Sequence, residues 1–351
     1  MEYLTNIQLE NISPSKAKQR VISKNDYNTI FSCINGNKYV DFYIKKQIDV
    51  NEENILQYNK KLLDILIKDR TTGRNIIWAT SDYEGYGKAY KSNCEILSVL
   101  ITGNRNNVIR PRAAKSRDNQ MNRTREKAEV FTPSWICNAQ NNLVDEQWFG
   151  RPNVFNHTKD KQWEATQEKV VFPNDKNHTW QKYVDSNRME ITCGEAPYLA
   201  SRYDTVTGRY IEIEERIGLL DRKLRVVNEN TNDIETWYKW TIRAFQSIYG
   251  FEYQGDNLLL ARENLLFTFM DNMKFKFNIL PNTKQLQEIA TIISWNIWQM
   301  DGLTYTVPMC DMDQKTEQLS FFGKDNASQY CRIKDWRSKE IITFKSLVEK
   351  A

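Results

Sequence analysis

The sequence predicts an α/β fold whose mostly parallel sheet is covered by helices, with an added N-terminal α+β region. Strand-like and helix-like patterns alternate between residues 188 and 310, and such alternation is typical of parallel strands joined by helical crossovers. The 351 residues are 40% hydrophobic and 27% charged, as in globular chains long enough to bury a core. Ligands bind such sheets beyond the carboxyl ends of the strands, so the residues that follow each strand are candidates for a site.

Four regions follow one another along the chain. Residues 1–104 form the N-terminal α+β region, and residues 105–187 form a basic connector that leads into the main domain. Residues 188–310 carry the alternating pattern, and residues 311–351 are a C-terminal extension. In the N-terminal region we expect strands in KYVDFYI and NIIWAT and a helix in NEENILQYNKKLLDILIK, whose apolar residues recur near helical spacing.

The main domain, residues 188–310, is expected to contain three strands, which are RMEITCG, SIYGFE and EIATIISW. Short apolar runs that are bounded by turn residues predict such strands. Amphipathic runs between them predict helices in RIGLLDRKLRVV, ETWYKWTIRAFQ and DNLLLARENLLFTFMDNM. This order of elements predicts a parallel sheet with helices packed on it.

Composition argues against membrane-spanning, secreted and zinc-binding proteins. The chain has no uninterrupted apolar stretch of about 18 residues, and its start, MEYLTNIQLENISPSK, lacks the basic and apolar parts of a secretory signal. The six cysteines form no CxxC pair and there are only two histidines, so neither a structural zinc site nor a disulfide framework is expected. We expect a cytoplasmic protein with no membrane association and no bound metal.

A basic cluster lies at the start of the connector. Eight basic residues stand against two acids between residues 105 and 127, and such clusters neutralise phosphates and release counterions when nucleic acid binds. The cluster therefore predicts a nucleic-acid interface, with a solvated surface loop as the alternative. Its basic residues are Arg105, Arg110, Arg112, Lys115, Arg117, Arg123, Arg125 and Lys127.

A Thr-Pro element follows the cluster. The stretch REKAEVFTPSWICNAQNNLVDEQWF resembles the segment that precedes the S-adenosylmethionine (SAM) domain in many DNA amino-methyltransferases. Phe131, Thr132 and Pro133 match a family element that contributes to the site for the methionine end of SAM. Threonine and proline are also ordinary residues at the start of a helix.

The loop after the first predicted strand is a second match. The heptapeptide EITCGEA resembles the D-P-x-C-G-S-G loop of that family, which wraps the SAM methionine. Cys193 and Gly194 match it outright, and Glu190 stands for the leading aspartate. The absence of the last glycine restricts close backbone approach, and an added acid would bring a second negative charge to the ligand. The positions that depart from the pattern are Ile191, Glu195 and Ala196.

The second predicted strand ends in an acid, as the second SAM motif of the family does. In the family this acid hydrogen-bonds the ribose hydroxyls, a role that suits a carboxylate because it accepts from both. Glu252 is the matching residue, with Asp256 as its substitute, and the following LLLARENLL resembles the family's helix. Taken over roughly residues 120–310, the resemblance implies a Rossmann-like SAM-dependent methyltransferase fold with SAM as the cofactor.

The residues after EIATIISW would carry catalysis. Adenine methyltransferases of this type have [DN]-P-P-[YFW] after a buried strand, where an amide or acid holds the adenine amino group and an aromatic ring stacks on the base. Asn296, Trp298 and Gln299 are the matching residues here, and both prolines are missing. The resemblance implies adenine-N6 methylation of DNA, in a restriction-modification, phage or mobile-element setting, with a restriction endonuclease or specificity subunit as a possible partner. Residues 1–104 and 311–351 would then supply target recognition.

Two alternatives stay open. The missing prolines favour a catalytically degenerate relative that binds DNA, SAM or a partner subunit, because prolines fix a rigid turn. A metal-dependent nuclease is the other alternative, because Asp301 followed by Asp313 and Lys315 has a D…D-x-K spacing.

Overall fold

The computed structural model describes residues 31–35, 38–42, 48, 50–127, 129–310 and 329–349, and it has a mixed α/β fold. The strands are β1 (Phe31–Asn35), β2 (Lys38–Phe42), β3 (Asn156–Lys159), β4 (Gln162–Ala165), β5 (Arg188–Glu190), β6 (Ile248–Glu252), β7 (Ile297–Gln299), β8 (Arg332–Lys334) and β9 (Ile341–Thr343). The α-helices are α1 (Glu52–Tyr58), α2 (Lys60–Leu66), α3 (Ser98–Ile101), α4 (Arg117–Lys127), α5 (Ser134–Phe149), α6 (Trp180–Asp185), α7 (Leu219–Asn230), α8 (Ile234–Gln246), α9 (Gly255–Phe277), α10 (Thr283–Asn296) and α11 (Phe344–Val348).

A parallel sheet of three strands, in the order β5-β6-β7, forms the centre of the fold. Helices α7 and α8 connect β5 to β6, and α9 and α10 connect β6 to β7. The prediction of a parallel sheet joined by helices is therefore confirmed. The remaining described strands form separate antiparallel pairs, which are β1-β2, β3-β4 and β8-β9.

The two faces of the sheet pack on different parts of the chain. Ile248 and Ile297 belong to one large apolar cluster that extends back to Val50 and includes the helices. Phe251 and Trp298 point to the other face, because side chains alternate along a strand, and they pack in a second cluster with the C-terminal segment that contains β8, β9 and α11. Both end regions of the chain thus contribute to the packing of the main domain.

The expected strand EIATIISW is wrong, because these residues are part of helix α10. Asn282 caps this helix, and its side chain and that of Gln285 bond each other's backbone N–H groups in a capping box. Leu286, Ile289 and Ile293 then fall on one buried face with the spacing of a helix. Only the next three residues, which form β7, extend the sheet.

The N-terminal expectations are met in part. The segment KYVDFYI contains β2, whereas NIIWAT makes an isolated bridge between Ile77 and Glu95 and no strand. The expected single helix is divided into α1 and α2 at Asn59, whose extended backbone ends α1 and whose side chain caps α2. The backbone of this region comes very close to α9: an added Cβ at Gly255 would overlap the carbonyl of Ile77.

A pair of carboxyl groups is buried where α1 meets α9. Glu52 and Glu263 are each at most 1% exposed, and their side-chain oxygens have no hydrogen-bond partner among the described residues. Burial raises the pKa of Glu52 to about 8, and burial together with the Glu52 charge raises the pKa of Glu263 well above its usual value. The folded protein therefore holds protons here that the unfolded chain releases near its ordinary carboxyl pKa.

We expect stability to fall as the pH rises from about 4.5 through about 8, since the folded state binds more protons than the unfolded state over this window. Glu52→Gln should remove much of this dependence and raise the free energy of unfolding at pH 9 by about 2–4 kcal/mol. Urea denaturation at pH 5 and pH 9 measures both effects, with the exposed Glu340→Gln as the control. A variant with the pH dependence of the wild type would contradict the assignment.

Candidate cofactor cavity

A cavity of about 500 Å³ opens at the carboxyl ends of β5 and β6, and this volume lies within the range of about 300–1,000 Å³ that is usual for ligand sites. Three segments that are distant in sequence line it, namely all of 129–132 and part of 190–198 and of 252–257. Most of the predicted cofactor residues meet there, and they are Phe131, Thr132, Glu190, Cys193, Gly194 and Glu252. Pro133 is not among the lining residues and instead precedes α5 as its N-cap.

The loop after β5 has an unusual backbone. Thr192, Gly194 and Ala196 all have positive φ angles, of 47°, 53° and 61°. Glycine adopts this region freely, whereas it costs other residues about 1–2 kcal/mol. Ala196 therefore occupies the left-handed conformation in spite of its Cβ, so the missing glycine of the resemblance does not prevent this turn. Strain of this kind persists where the surroundings over-determine the backbone, often at ligand sites.

Hydrogen bonds tie this loop to β6. The N–H of Cys193 donates to the carbonyl of Phe251 at 2.8 Å, and the N–H of Gly194 donates to Oε2 of Glu252 at 2.8 Å. Gly250 leaves room for the loop beside β6. An added Cβ at this position would lie 3.4 Å from Sγ of Cys193 and 3.3 Å from the carbonyl oxygen of Glu190. The loop and the end of β6 consequently form one continuous wall.

Glu190 is the one lining acid that has a buried oxygen without a hydrogen-bond partner among the described residues. Its Oε1 accepts a hydrogen bond from the N–H of Tyr198 at 3.3 Å, while Oε2 is buried without a hydrogen-bond partner among the described residues. Burial raises the pKa of Glu190 well above its usual value, although the backbone N–H groups of Tyr198 and Leu199 lower it, and the charge of Glu252 adds to the rise. A buried polar atom without a partner is costly, so this oxygen indicates a ligand that donates a hydrogen bond or carries a positive charge.

Glu252 closes the other side of the cavity. Its carboxylate accepts from the N–H of Gly194 at 2.8 Å and from the N–H of Gln254 at 3.1 Å. A carboxylate has about four acceptor positions, which leaves capacity for further donors such as a pair of hydroxyls. Burial raises the pKa of Glu252, although these two N–H groups lower it.

The charge of the cavity is one-sided. Its lining residues include three acids and no lysine, arginine or histidine. One of the acids, Glu129, forms an ion pair with Arg123, which leaves Glu190 and Glu252 without a cationic partner in the lining. Burial raises the pKa of both carboxyl groups, so a cationic ligand would favour their ionised form, whereas a phosphate would oppose that ionisation. The lining therefore favours a cationic ligand.

Neither Asp256 nor Glu195 lines this cavity. Asp256, the proposed substitute for Glu252, is fully buried and bonds the hydroxyl of Tyr83 at 2.7 Å, Nζ of Lys115 at 3.3 Å and Nη1 of Arg123 at 2.9 Å. Burial alone would raise its pKa, but the two cations hold that pKa well below its usual range.

Glu195 faces away from the cavity. The prediction that its carboxyl group brings a second negative charge to the ligand is therefore wrong. Its carboxylate accepts from the hydroxyl of Tyr203 and from the N–H of Arg112, both at 2.6 Å. Burial raises the pKa of Glu195 to about 7. The added acid of the loop is therefore used inside the protein.

The predicted catalytic residue Asn296 lies at the wrong end of the sheet. It is the last residue of α10 and precedes β7, and its Nδ2 donates to the carbonyls of Phe245 and Ile248 at 3.0 and 2.8 Å. Its Oδ1 accepts from Nε1 of Trp336 at 2.7 Å. Ile248 begins β6, whereas the cavity lies where β6 ends, so Asn296 cannot hold a base beside that cavity.

Trp298 and Gln299 are also used inside the protein. Trp298 is 1% exposed and packs against Phe251 and Phe344, with ring centroids 5.9 and 5.4 Å apart. The amide of Gln299 accepts from the N–H of Ile77 at 2.9 Å and donates to the carbonyl of Ile77 at 2.8 Å. The assignment of these side chains to a base-binding motif is wrong because the strand begins one residue after Asn296 instead of ending before it.

The basic cluster divides into internal and exposed members. Arg123 is 4% exposed and pairs with Asp82 at 2.7 Å, with Glu129 and with Asp256, and Lys115 pairs with Asp256. Their prediction as phosphate ligands is therefore wrong. Arg112 is half-buried, with its guanidinium 5.0 Å from the centre of the Phe131 ring. The exposed members are Arg105, Arg110, Arg117 and Arg125.

The nuclease spacing lies only partly within the described chain. The carboxylate of Asp301 accepts from the N–H groups of Leu303 and Thr304 at 2.8 and 3.3 Å and so closes a turn, while Asp313 and Lys315 lie outside the described residues. Within the described ranges, no group of three or more acidic, histidine or cysteine side chains could hold a metal ion.

No helix in the described ranges is long and apolar enough to cross a membrane. Comparison with known proteins found no matching family, curated protein or solved structure.

Proposed function

We propose that this chain binds SAM in the cavity at the ends of β5 and β6, and that its fold is a Rossmann-like SAM-dependent methyltransferase fold. The observation that carries the proposal is the pair of buried acids, Glu190 and Glu252, in a cavity lined by no cation. SAM carries an ammonium and a sulfonium group against one carboxylate, so its net charge complements this lining. Nucleotide phosphates would instead meet uncompensated carboxyl groups.

The arrangement of the lining supports distinct roles for its parts. The unpartnered Oε2 of Glu190 suits the ammonium group of SAM, and Glu252 has acceptor capacity for the ribose hydroxyls. Phe131 and the strained loop at Gly194 meet in the same wall, since a Cβ on Gly194 would lie 3.7 Å from the Phe131 ring. Bound SAM would supply an electrophilic methyl group, and these residues would bind and orient the cofactor.

We propose DNA as the second ligand, with adenine N6 as the acceptor and a restriction-modification, phage or mobile-element setting. The exposed arginines of the basic cluster support the choice of nucleic acid. Cytosine C5 is disfavoured because those enzymes use the cysteine of a Pro-Cys pair, which this chain lacks. A partner nuclease or specificity subunit remains part of this proposal.

A degenerate relative that binds SAM and DNA without transferring the methyl group is the second candidate. The burial of Asn296 at the amino end of β6 favours it, because the expected adenine-binding amide is committed to backbone carbonyls. An active enzyme would have to orient the acceptor nitrogen with residues other than Asn296, Trp298 and Gln299. Nucleoside mass spectrometry of DNA incubated with protein and SAM separates the candidates, because only the enzyme yields N6-methyladenine.

Isothermal titration calorimetry tests the cofactor proposal directly. We expect SAM to bind, S-adenosylhomocysteine to bind more weakly because it lacks the sulfonium charge, and ATP not to compete. The order of affinities follows from a cavity with two carboxyl groups and no cation. Tighter binding of ATP than of SAM, or no heat with SAM, would overturn the proposal.

A further inference from the structure

A second cavity, of about 380 Å³, lies between the turn at residues 82–86 and helix α4. We name it the Tyr86 cleft, after the tyrosine that is 60% exposed on its wall. Three of the other eleven lining residues have amide side chains, and these are Asn107, Asn119 and Asn122. An exposed aromatic ring and several amides in the lining of one cleft supply a stacking surface together with hydrogen-bond donors and acceptors.

The Tyr86 cleft adjoins the cofactor cavity through one side chain. Arg123 lines the cleft and donates to Asp82, which also lines it, at 2.7 Å. The same guanidinium donates to Glu129 and Gln254, which line the cofactor cavity. The two cavities are therefore separated by the Arg123 side chain and its partners.

The polar character of α4 points to an occupant for the cleft. Apart from Met121, every residue from Arg117 to Lys127 is polar or charged, so the helix has no apolar stripe that would bury it against the core. Buried Arg123 anchors it instead. Asn119 and Asn122, three residues apart on one face of the helix, line the cleft and are exposed.

Charge inside the cleft is largely balanced. Lys115 and Arg123 are neutralised by Asp256, Asp82 and Glu129, so these cations have little attraction left for phosphate. The other two charged lining residues, Glu126 and Arg110, have opposite signs. The exposed arginines, which include Arg110 on the cleft wall, are free of acidic partners among the ion pairs of the described chain and can contact a sugar-phosphate backbone. They are Arg105, Arg110, Arg117 and Arg125.

We propose that the Tyr86 cleft holds one unpaired nucleobase of a DNA strand, stacked on Tyr86 and hydrogen-bonded by the asparagine amides. A planar, neutral group with polar edges matches the balanced interior, and the arginines match the phosphates that flank it. A base inside a duplex cannot present its face to Tyr86, so the strand must be single or the base extruded. The inference rests on the proposed function in taking DNA as the partner, and it makes no use of the cofactor cavity.

Fluorescence anisotropy with two labelled strands tests this assignment. One is a short single strand of mixed sequence, and the other is an abasic strand of the same length, both at one fixed salt concentration. Tyr86→Ala should weaken binding of the first strand by about 5- to 100-fold, the range for loss of one stacked base, and leave the abasic strand unaffected. Tyr86→Phe should retain the affinity, and Tyr58→Ala, at a tyrosine outside the cleft that is 40% exposed, is the matched control.

Base stacking at Tyr86 is overturned if Tyr86→Ala binds both strands with the affinity of the wild type, or if its affinity for the two strands falls by the same factor. It is also overturned if the wild type binds neither strand. Unchanged thermal stability of Tyr86→Ala verifies that the fold is kept, as expected for an exposed ring. SAM calorimetry on the same proteins separates this result from the proposed function. Base-dependent DNA binding without SAM binding would refute the cofactor proposal alone, and SAM binding with a neutral Tyr86→Ala would refute the cleft alone.

Discussion

Glu190→Gln is expected to weaken SAM binding by about 10- to 150-fold, while the protein stays folded. The substitution keeps the shape of the side chain but removes the charge that would face the ligand ammonium, and hydrogen bonds to charged groups contribute about 1.5–3 kcal/mol. Because burial raises the pKa of Glu190, a neutral amide fits its surroundings without loss of stability. Glu252→Gln should weaken SAM binding to a similar extent, because the amide has fewer acceptor positions for the ribose hydroxyls. Calorimetry measures both variants.

The matched control is Glu195→Gln, which alters a buried acid in the same loop that does not line the cavity. It should bind SAM like the wild type. The wild-type affinity should also rise with pH as Glu190 ionises, since the carboxylate form attracts the cation, and this rise should be smaller in Glu190→Gln. Equal losses in the Glu190 and Glu195 variants, or no loss in either, would contradict the assignment of Glu190.

Asp256→Asn is expected to lower the free energy of unfolding by about 3–5 kcal/mol, the usual cost of removing one partner from a buried ion pair. The carboxylate is fully buried between Arg123, Lys115 and Tyr83. Its loss would leave two cations with fewer partners in the protein interior. Urea denaturation measures the effect, and Asp118→Asn, an exposed acid on α4, is the control.

The pH dependence of this effect has a defined sign. Arg123 and Lys115 hold the pKa of Asp256 well below its usual range, so its stabilisation is fully present above the unfolded pKa of about 3.9 and is lost as the pH falls toward the folded pKa. The difference between wild type and variant should therefore shrink in acid. A loss below about 1 kcal/mol at neutral pH would mean that the ion pair contributes little beyond its desolvation cost.

Much of the central fold could be predicted from local patterns. The strands β5 and β6 and the helices α7, α8 and α9 lie within segments that the sequence pattern predicted. Helices α7 and α8 have a recurrent apolar face, whereas α9 is buried on nearly all sides. The run EIATIISW failed because short runs rich in isoleucine fit a buried strand and a helix face equally well. The capping box at Asn282 and Gln285 was the signal that could have identified the helix.

The site was only partly predictable for a different reason. Glu190 and Glu252 could be paired because each ends a strand, and parallel strands end at one edge of the sheet. The burial of Arg123 could not be foreseen, since its partners Asp82, Glu129 and Asp256 come from separate segments. The local sequence pattern does not distinguish an arginine that is exposed to water from one that is paired with a buried acid. Whether the two strand-end acids bind SAM stays a prediction.

The Gln299 amide has a consequence for association between chains. Its two bonds to the backbone of Ile77 imitate the pairing of a neighbouring strand, and all three residues of β7 are buried. Exposed sheet edges are templates for aggregation and for strand addition, whereas the backbone carbonyls of Ile297 and Gln299 in β7 already accept from Nε of Arg262 at 2.7 Å and Sγ of Cys331 at 3.3 Å. At the opposite edge, Met189 of β5 is 46% exposed. Within the described part of the chain, β5 is therefore the more exposed of the two edge strands, and a strand from another molecule that paired with it would lie next to the cofactor cavity.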